Sequence, residues 1–231
     1  MDYICLSPRL QMVADFVPPC ACAADIGTDH GYLPVWLLQN GVIQSAIAAD
    51  IHAGPLANAR QSAAAYDLEE HFRFVQADGL QFSGVQAADV ITIAGMGGET
   101  ICAILAAAPW LRDGKQLVLQ PQSKVPELTD WLWRNGFTIE DAALCRDAGK
   151  RYLVLRVLGQ PAVQTYTVEQ LLLRRRDPLL TEHLKEEIRR QTRARAGMAH
   201  AKQTPAAELA ALDARLSQLQ ACLKEVQTWQ L

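Results

Sequence analysis

The sequence has no C-x-x-C pair and no cysteine–histidine cluster at zinc-ligand spacing. Its six cysteines are scattered, with Cys20 and Cys22 the only close pair. Neither a structural zinc site nor a redox dithiol is therefore expected, and no metal. Reduced thiols in a cytoplasmic protein are the simplest reading. Long apolar runs are also missing. The longest, Ile101 to Leu111, contains Pro109 and falls well short of the roughly 20 residues that cross a bilayer as a helix. No membrane association is expected. The opening residues lack a basic segment followed by an apolar one, so they do not read as a secretory signal. There are no internal repeats and no low-complexity tract beyond alanine richness.

One further absence carries chemical meaning. After the small apolar run Cys20 to Ala24, which suits a buried strand, comes Asp25-Ile26-Gly27-Thr28-Asp29-His30-Gly31, and then a helical pattern from Tyr32 to Asn40. Strand, glycine turn and helix open a nucleotide-type α/β fold. A dinucleotide site, however, needs G-x-G-x-x-G, whose bare backbone approaches a pyrophosphate at the helix N-terminus. This turn lacks those glycines and carries two carboxylates instead. Asp25 and Asp29 repel a pyrophosphate and suit a cationic ligand. S-adenosylmethionine, a sulfonium with an ammonium and no phosphate, is such a ligand. The plainer alternative for Asp29 is that it only caps the following helix.

What is present is enough for one domain with a real core plus an appendage. Of 231 residues, 50% are apolar, and mean hydropathy is near zero, as in water-soluble globular proteins. Net charge is −3, but it is unevenly spread. Met1 to Gly159 carries 11 Lys and Arg against 17 Asp and Glu; Gln160 to Leu231 carries 11 against 8. The chain is thus acidic first and basic last. A boundary is expected between residues 160 and 161.

Met1 to Val17 reads as a helix, with Ser7 able to cap and Pro8 suited to the first turn. Strands are expected at Ser45 to Ala49, Phe72 to Gln76, Asp89 to Ile93 and Gln116 to Leu119. Helices are expected from Gly54-Pro55 to Tyr66, Glu99 to Ala108 and Val125 to Asn135. Phe137 to Cys145 and Arg151 to Leu158 are separated by only five residues. That gap is too short for a helical crossover, so this pair must be an antiparallel hairpin. The resulting fold class is α/β, a seven-stranded Rossmann-like sheet ending in an antiparallel strand. Trp131 and Trp133 are read as packing residues.

Beyond Tyr166 the pattern is helical, with a break at Arg174-Arg175-Arg176-Asp177-Pro178. A helix from about Leu179 to Ala201 carries Lys185, Arg189, Arg190, Arg193, Arg195 and Lys202 on or just beyond it. Thr204-Pro205 restarts a helix. There Leu209, Leu212, Leu216, Leu219, Leu223 and Val226 recur at spacings of three and four, a heptad seam. The seam is expected to pack on the preceding helix as a hairpin, leaving the protein a monomer.

In open α/β sheets ligands bind outside the carboxyl ends of the strands. The first turn offers Asp25, Gly27 and His30. Asp50, followed by Ile51, suits two ribose hydroxyls. Asp78-Gly79 suits the adenine amino group. Ala94-Gly95-Met96-Gly97-Gly98 lets backbone come close to the methionine part and the substrate.

Taken together, Leu6-Ser7-Pro8-Arg9-Leu10, Asp25 through Pro34, Asp78-Gly79-Leu80, Ile93 through Gly98 and Leu119-Gln120-Pro121 resemble the bacterial tRNA (adenine-22-N1)-methyltransferase family, TrmK. The resemblance implies a class I methyltransferase fold with a C-terminal coiled-coil-like hairpin, S-adenosyl-L-methionine as cofactor and tRNA as partner. It implies Asp29 as the essential carboxylate and Arg9 as a substrate-side arginine. Gln120, Pro121 and Gln122 fall on the family's L-Q-P-N, with Gln122 one methylene longer than the usual asparagine. Arg189, Arg190 and Arg193 are expected to hold RNA phosphates. Competing readings are a methyltransferase for another RNA or a small molecule, and a binding module without catalysis.

Overall fold

Ser7 and Pro8 set the first helix. Ser7 is extended, its hydroxyl accepts from the Leu10 N–H, and Pro8 takes the first helical position of α1 (Pro8–Phe16). Residues 3–6 are not helical, because a helix running through Leu6 would force the residue before Pro8 into a conformation that proline disfavours. The computed structural model describes residues 3–162, 164–199 and 206–230. The chain divides into two compact units, one ending at Thr165 and the other beginning at Tyr166.

The first unit alternates strands and helices: β1 (Cys20–Ile26), α2 (Tyr32–Gln39), β2 (Ile43–Asp50), α3 (Ala53–Ala65), β3 (Phe72–Gln76), β4 (Val90–Gly97), α4 (Gly98–Ala106), β5 (Gln116–Ser123), α5 (Val125–Arg134), β6 (Thr138–Asp147) and β7 (Lys150–Leu158). They form one seven-stranded sheet in the order β3-β2-β1-β4-β5-β7-β6. The first five strands are parallel, and β7 is antiparallel to both neighbours. This is a Rossmann-like sheet with an antiparallel strand inserted beside β5. The order reverses between β1 and β4, so the crevice above these strands is the topological switch point at which such sheets bind ligands. One face of the sheet shares a core with α1 and α2, including Val13, Phe16, Leu37, Val90, Val118 and Val154. Trp131 stacks on Phe137, with ring centroids 5.8 Å apart.

Two strands run further than the sequence suggests. β4 continues through Ala94-Gly95-Met96-Gly97, and β5 through Gln120-Pro121-Gln122. Glycine and proline look like strand ends. Here pairing of the two strands carries both onward, with register shifts around Met96.

In the second unit, α6 (Val168–Arg175) opens with a capping box between Thr167 and Gln170. Arg176 then adopts a left-handed conformation and stops it. α7 (Leu180–Ala199) and α8 (Ala206–Gln227) pack on each other. Leu216, Leu219 and Val226 of the seam are buried, whereas Leu209, Leu212 and Leu223 are half-buried. The expected Thr204-Pro205 cap and Lys202 lie outside the described residues. Among the described residues no helix is long and apolar enough to cross a membrane.

Candidate functional site

Parallel pairing brings the ends of β1, β2, β3, β4 and β5 to one edge, and with them most of the acidic and glycine residues singled out above. Asp25 lies under the first turn. It pairs in register with Thr92 of β4, and the Thr92 hydroxyl donates to its carboxylate at 2.6 Å. The buried Thr28 hydroxyl faces the same carboxyl without completing a full hydrogen bond. Burial pushes the Asp25 pKa up; the Thr92 and Thr28 hydroxyls oppose that, and the charge of Asp50 adds to it. Ionising Asp25 is therefore unfavourable in the fold, and a positive charge placed beside it would favour the ionised form.

Above it, Gly27 has φ +76°, and a Cβ built there would stand 2.3 Å from Met96 Cε. The turn thus rests directly on the glycine segment of β4. Gly31, at φ +68°, starts α2 and approaches Ala59 of α3. Between them, Asp29 sits at φ +51°, a left-handed conformation rare for a residue with a side chain. The N-cap of α2 is Gly31, not Asp29, whose side chain is 72% exposed, with His30 Nε2 at 3.7 Å. The plain capping role is therefore absent. Aspartate is among the few side-chain residues that take this conformation readily, and the turn leaves its carboxylate facing solvent. His30 stacks on Tyr32, ring centroids 5.1 Å apart.

Asp50, at the end of β2, accepts from the His52 N–H at 2.9 Å. Ile51 is 52% exposed, and Asp78 is exposed beside Gly79. On the other side of the crevice, Arg9 of α1 reaches β5: its Nη1 donates to Gln120 Oε1 at 2.9 Å. A Cβ at Gly95 would lie 3.6 Å from Gln122 Nε2 and 3.7 Å from Arg9 Nη1. The fold thus joins the N-terminal Leu6–Leu10 motif to the glycine segment and to the Gln120-Pro121-Gln122 run. Gln120 itself is fully buried, and Pro121 is buried while Gln122 is exposed. Of these three, only Gln122 has a side chain presented to an incoming molecule. Among the described residues no cluster of His, Cys, Asp and Glu is arranged to hold a metal ion.

A methyltransferase-domain family model matches residues 6–155. The tRNA (adenine(22)-N(1))-methyltransferase of Bacillus subtilis (strain 168) is 39% identical over 156 residues, which is 67% of this chain and 66% of that protein. The crystal structure of the B. subtilis m1A22 tRNA methyltransferase TrmK superposes with a TM-score of 0.80 at 29% identity, covering 95% of this chain and 99% of that one. The Streptococcus pneumoniae protein Sp1610, solved in complex with S-adenosyl-L-methionine, gives 0.77 at 30% identity over 95% and 100%. The chain belongs to the TrmK family of methyltransferases.

In this methyltransferase the sequence reading missed Thr92, Tyr152 and the buried role of Gln120. Thr92 left a signal, a lone hydroxyl in the run Val90-Ile91-Thr92-Ile93. Tyr152, whose ring lies 5.8 Å from the Arg9 guanidinium carbon, left none, because 143 positions of chain separate the two. The arginines expected to hold RNA stand on α7 in the second unit, all three exposed. Their charge is partly spoken for. Arg190 pairs with Glu187 at 2.6 Å, Arg189 donates to the Lys185 carbonyl at 3.2 Å, and nearby Arg195 pairs with Asp213 of α8.

Proposed function

We propose that this protein transfers a methyl group from S-adenosyl-L-methionine to N1 of adenine 22 in tRNA. One observation carries the reading: the turn that rests on Met96 of the glycine segment also carries Asp29, whose carboxylate is exposed. The residues present fit the cofactor. Asp25 and Thr28 under the turn suit an ammonium, half-buried Asp50 suits ribose hydroxyls, and exposed Ile51 and Asp78 suit the adenine face and edge. Gly79, Ala94, Gly95, Met96 and Gly97 line the approach with little side-chain bulk other than Met96.

Bound, the cofactor supplies an electrophilic methyl on a sulfonium. The residues of the chain then have two tasks. Adenine N1 carries an in-plane lone pair and needs no general base, so alignment is the first. As N1 gives up its lone pair, positive charge spreads to the exocyclic amino group. The second task falls to Asp29, which accepts a hydrogen bond from that amino group and stabilises the charge. N1 lies on the Watson–Crick edge, so the base reacts unpaired or flipped out. In this reading Arg189, Arg190 and Arg193 hold tRNA phosphates, and the C-terminal helical unit positions RNA without reading its sequence. Cover of the α8 seam within its own unit supports a monomer.

The decisive experiment is mass spectrometry of nucleosides from unmodified tRNA incubated with protein and S-adenosyl-L-methionine. The expected product is 1-methyladenosine mapped to position 22. Methylation at another atom, of another RNA, or of small metabolites alone would replace this reading.

A further inference from the structure

Arg9 is in an unfavourable place for helix stability. It is the second residue of α1, with no acidic residue in the first turn of that helix, and a cation there opposes the helix dipole. Asp147 is near, but its carboxylate accepts from the Arg9 backbone N–H at 3.4 Å. Among the described residues the guanidinium itself has only neutral neighbours: the Gln120 amide oxygen and the Tyr152 ring. Its charge is left uncompensated.

Gln120 explains how it is held there. β4 bulges between Ala94 and Met96 where it pairs with β5, and Gly95 takes φ +80°. Such a bulge turns one backbone group out of the ladder. The Gly95 N–H donates instead to Gln120 Oε1 at 3.2 Å, the same oxygen that accepts from Arg9. Gln120 Nε2 donates to the Pro121 carbonyl at 2.9 Å, which fixes which end of the amide faces the two donors. With no exposed surface, Gln120 cannot touch a substrate. It acts only through Arg9 and Gly95.

We propose that Gln120 is a positioning residue: its buried amide holds Arg9 over the Gly95 bulge as an unpaired cation that receives an RNA phosphate next to the target adenosine. The proposal rests on the tRNA reading above. Positive charge builds on the purine during transfer, so a guanidinium against the ring would oppose the reaction. The anionic part of the same nucleotide is its phosphate, which suits the remaining N–H donors of Arg9. A neutral amide suits this task better than a carboxylate, which would hold the arginine equally well but cancel its charge.

The test compares wild type, Arg9→Ala, Gln120→Glu and the double variant, using tRNA transcript at several salt concentrations. Gln120→Glu keeps the oxygen that accepts from Arg9 and Gly95, loses the donor to the Pro121 carbonyl and adds a negative charge against Arg9. Each single variant is expected to raise the KM for tRNA about tenfold, and the double variant to be no worse than either. Both singles are expected to flatten the dependence of log KM on log salt by about 0.7–0.9, the slope lost with one phosphate contact. Affinity for S-adenosyl-L-methionine by calorimetry should stay within twofold. Gln120→Met, which lacks the acceptor oxygen, should raise the KM in the same way. Additive effects, an unchanged salt slope, or a loss of cofactor affinity matching the rise in KM would overturn the role of Gln120 while leaving the tRNA reading intact. No methylation by the wild-type protein would overturn both.

Discussion

At Asp25 folding and ligand binding make opposite demands. Burial raises its pKa, so the protonated form favours the folded state. That contribution is complete below the unfolded-state pKa of about 4 and is lost as pH rises through the higher native value. As pH rises above the unfolded-state value, the cost of ionising the buried carboxyl counts increasingly against the folded state. Asp25→Asn keeps an acceptor for Thr92 and removes the charge. We expect it to melt at higher temperature than wild type at pH 7, with the gap closing toward pH 4, and to bind S-adenosyl-L-methionine about tenfold or more weakly. Thermal melts across pH and calorimetry check both halves. Asp29 should behave differently. Asp29→Ala is expected to keep cofactor binding and fold while turnover falls by about 10²–10³, the range for loss of one group aimed at developing charge. Normal turnover in that variant would remove Asp29 from the chemistry. Both aspartates were visible in the sequence as members of one turn. That one is buried against Thr92 and the other exposed was not, because partners of a strand-end residue come from strands distant in the chain.

The β4–β5 pair shows why element ends are harder to read than element centres. Glycine and proline carry turn signals, so Ala94 to Gly98 looks like a loop. Pairing with β5 alone, of Ala94 with Gln120, Met96 with Pro121 and Gly97 with Ser123, carries it on as strand. The close approach that follows is testable. A Cβ at Gly98 would stand 2.5 Å from the Lys124 carbonyl oxygen and 2.9 Å from that of Ser123. These are backbone atoms that cannot swing aside. Gly98→Ala should cost about 1–3 kcal/mol, lowering the melting temperature by roughly 2–12 °C for a chain of this length. Gly54, in α3, has nothing within 4 Å of the same added atom and no positive φ. Gly54→Ala should therefore be neutral or stabilising by up to about 1 kcal/mol. Denaturant melts of the two variants give opposite signs if the crowding at Gly98 is real.

Over the whole chain, the acidic first unit and the basic second one divide the work that charge can do. Reversing Arg189, Arg190 and Arg193 to Glu together should raise the KM for tRNA by about 10- to 100-fold at low salt, less at high salt, without changing cofactor affinity. An equal loss at every salt concentration would mean the helix is damaged rather than discharged. Within the second unit, Glu169 of α6 accepts from Arg215 of α8 and lies 3.8 Å from His183 of α7. Burial pushes its carboxyl up, but His183 and Arg215 outweigh that and hold the pKa at about 2, against an ordinary 4.5. A depressed carboxyl stabilises the fold above its unfolded-state pKa, and that stability is lost as pH falls toward 2. The shift corresponds to about 3 kcal/mol, so Glu169→Gln should be less stable at pH 7 and show a flatter loss of stability between about pH 5 and 2. Amino-acid order alone determined the alternation of strands and helices, the antiparallel hairpin, the acidic turn and the basic helix, because each depends on local period, loop length or charge. Tertiary structure decided which carboxylate is buried, where β4 and β5 end, and that Arg9, Gly95, Gln120 and Tyr152 share one corner. Those contacts join residues up to 143 positions apart, and no local propensity specifies a partner at that distance.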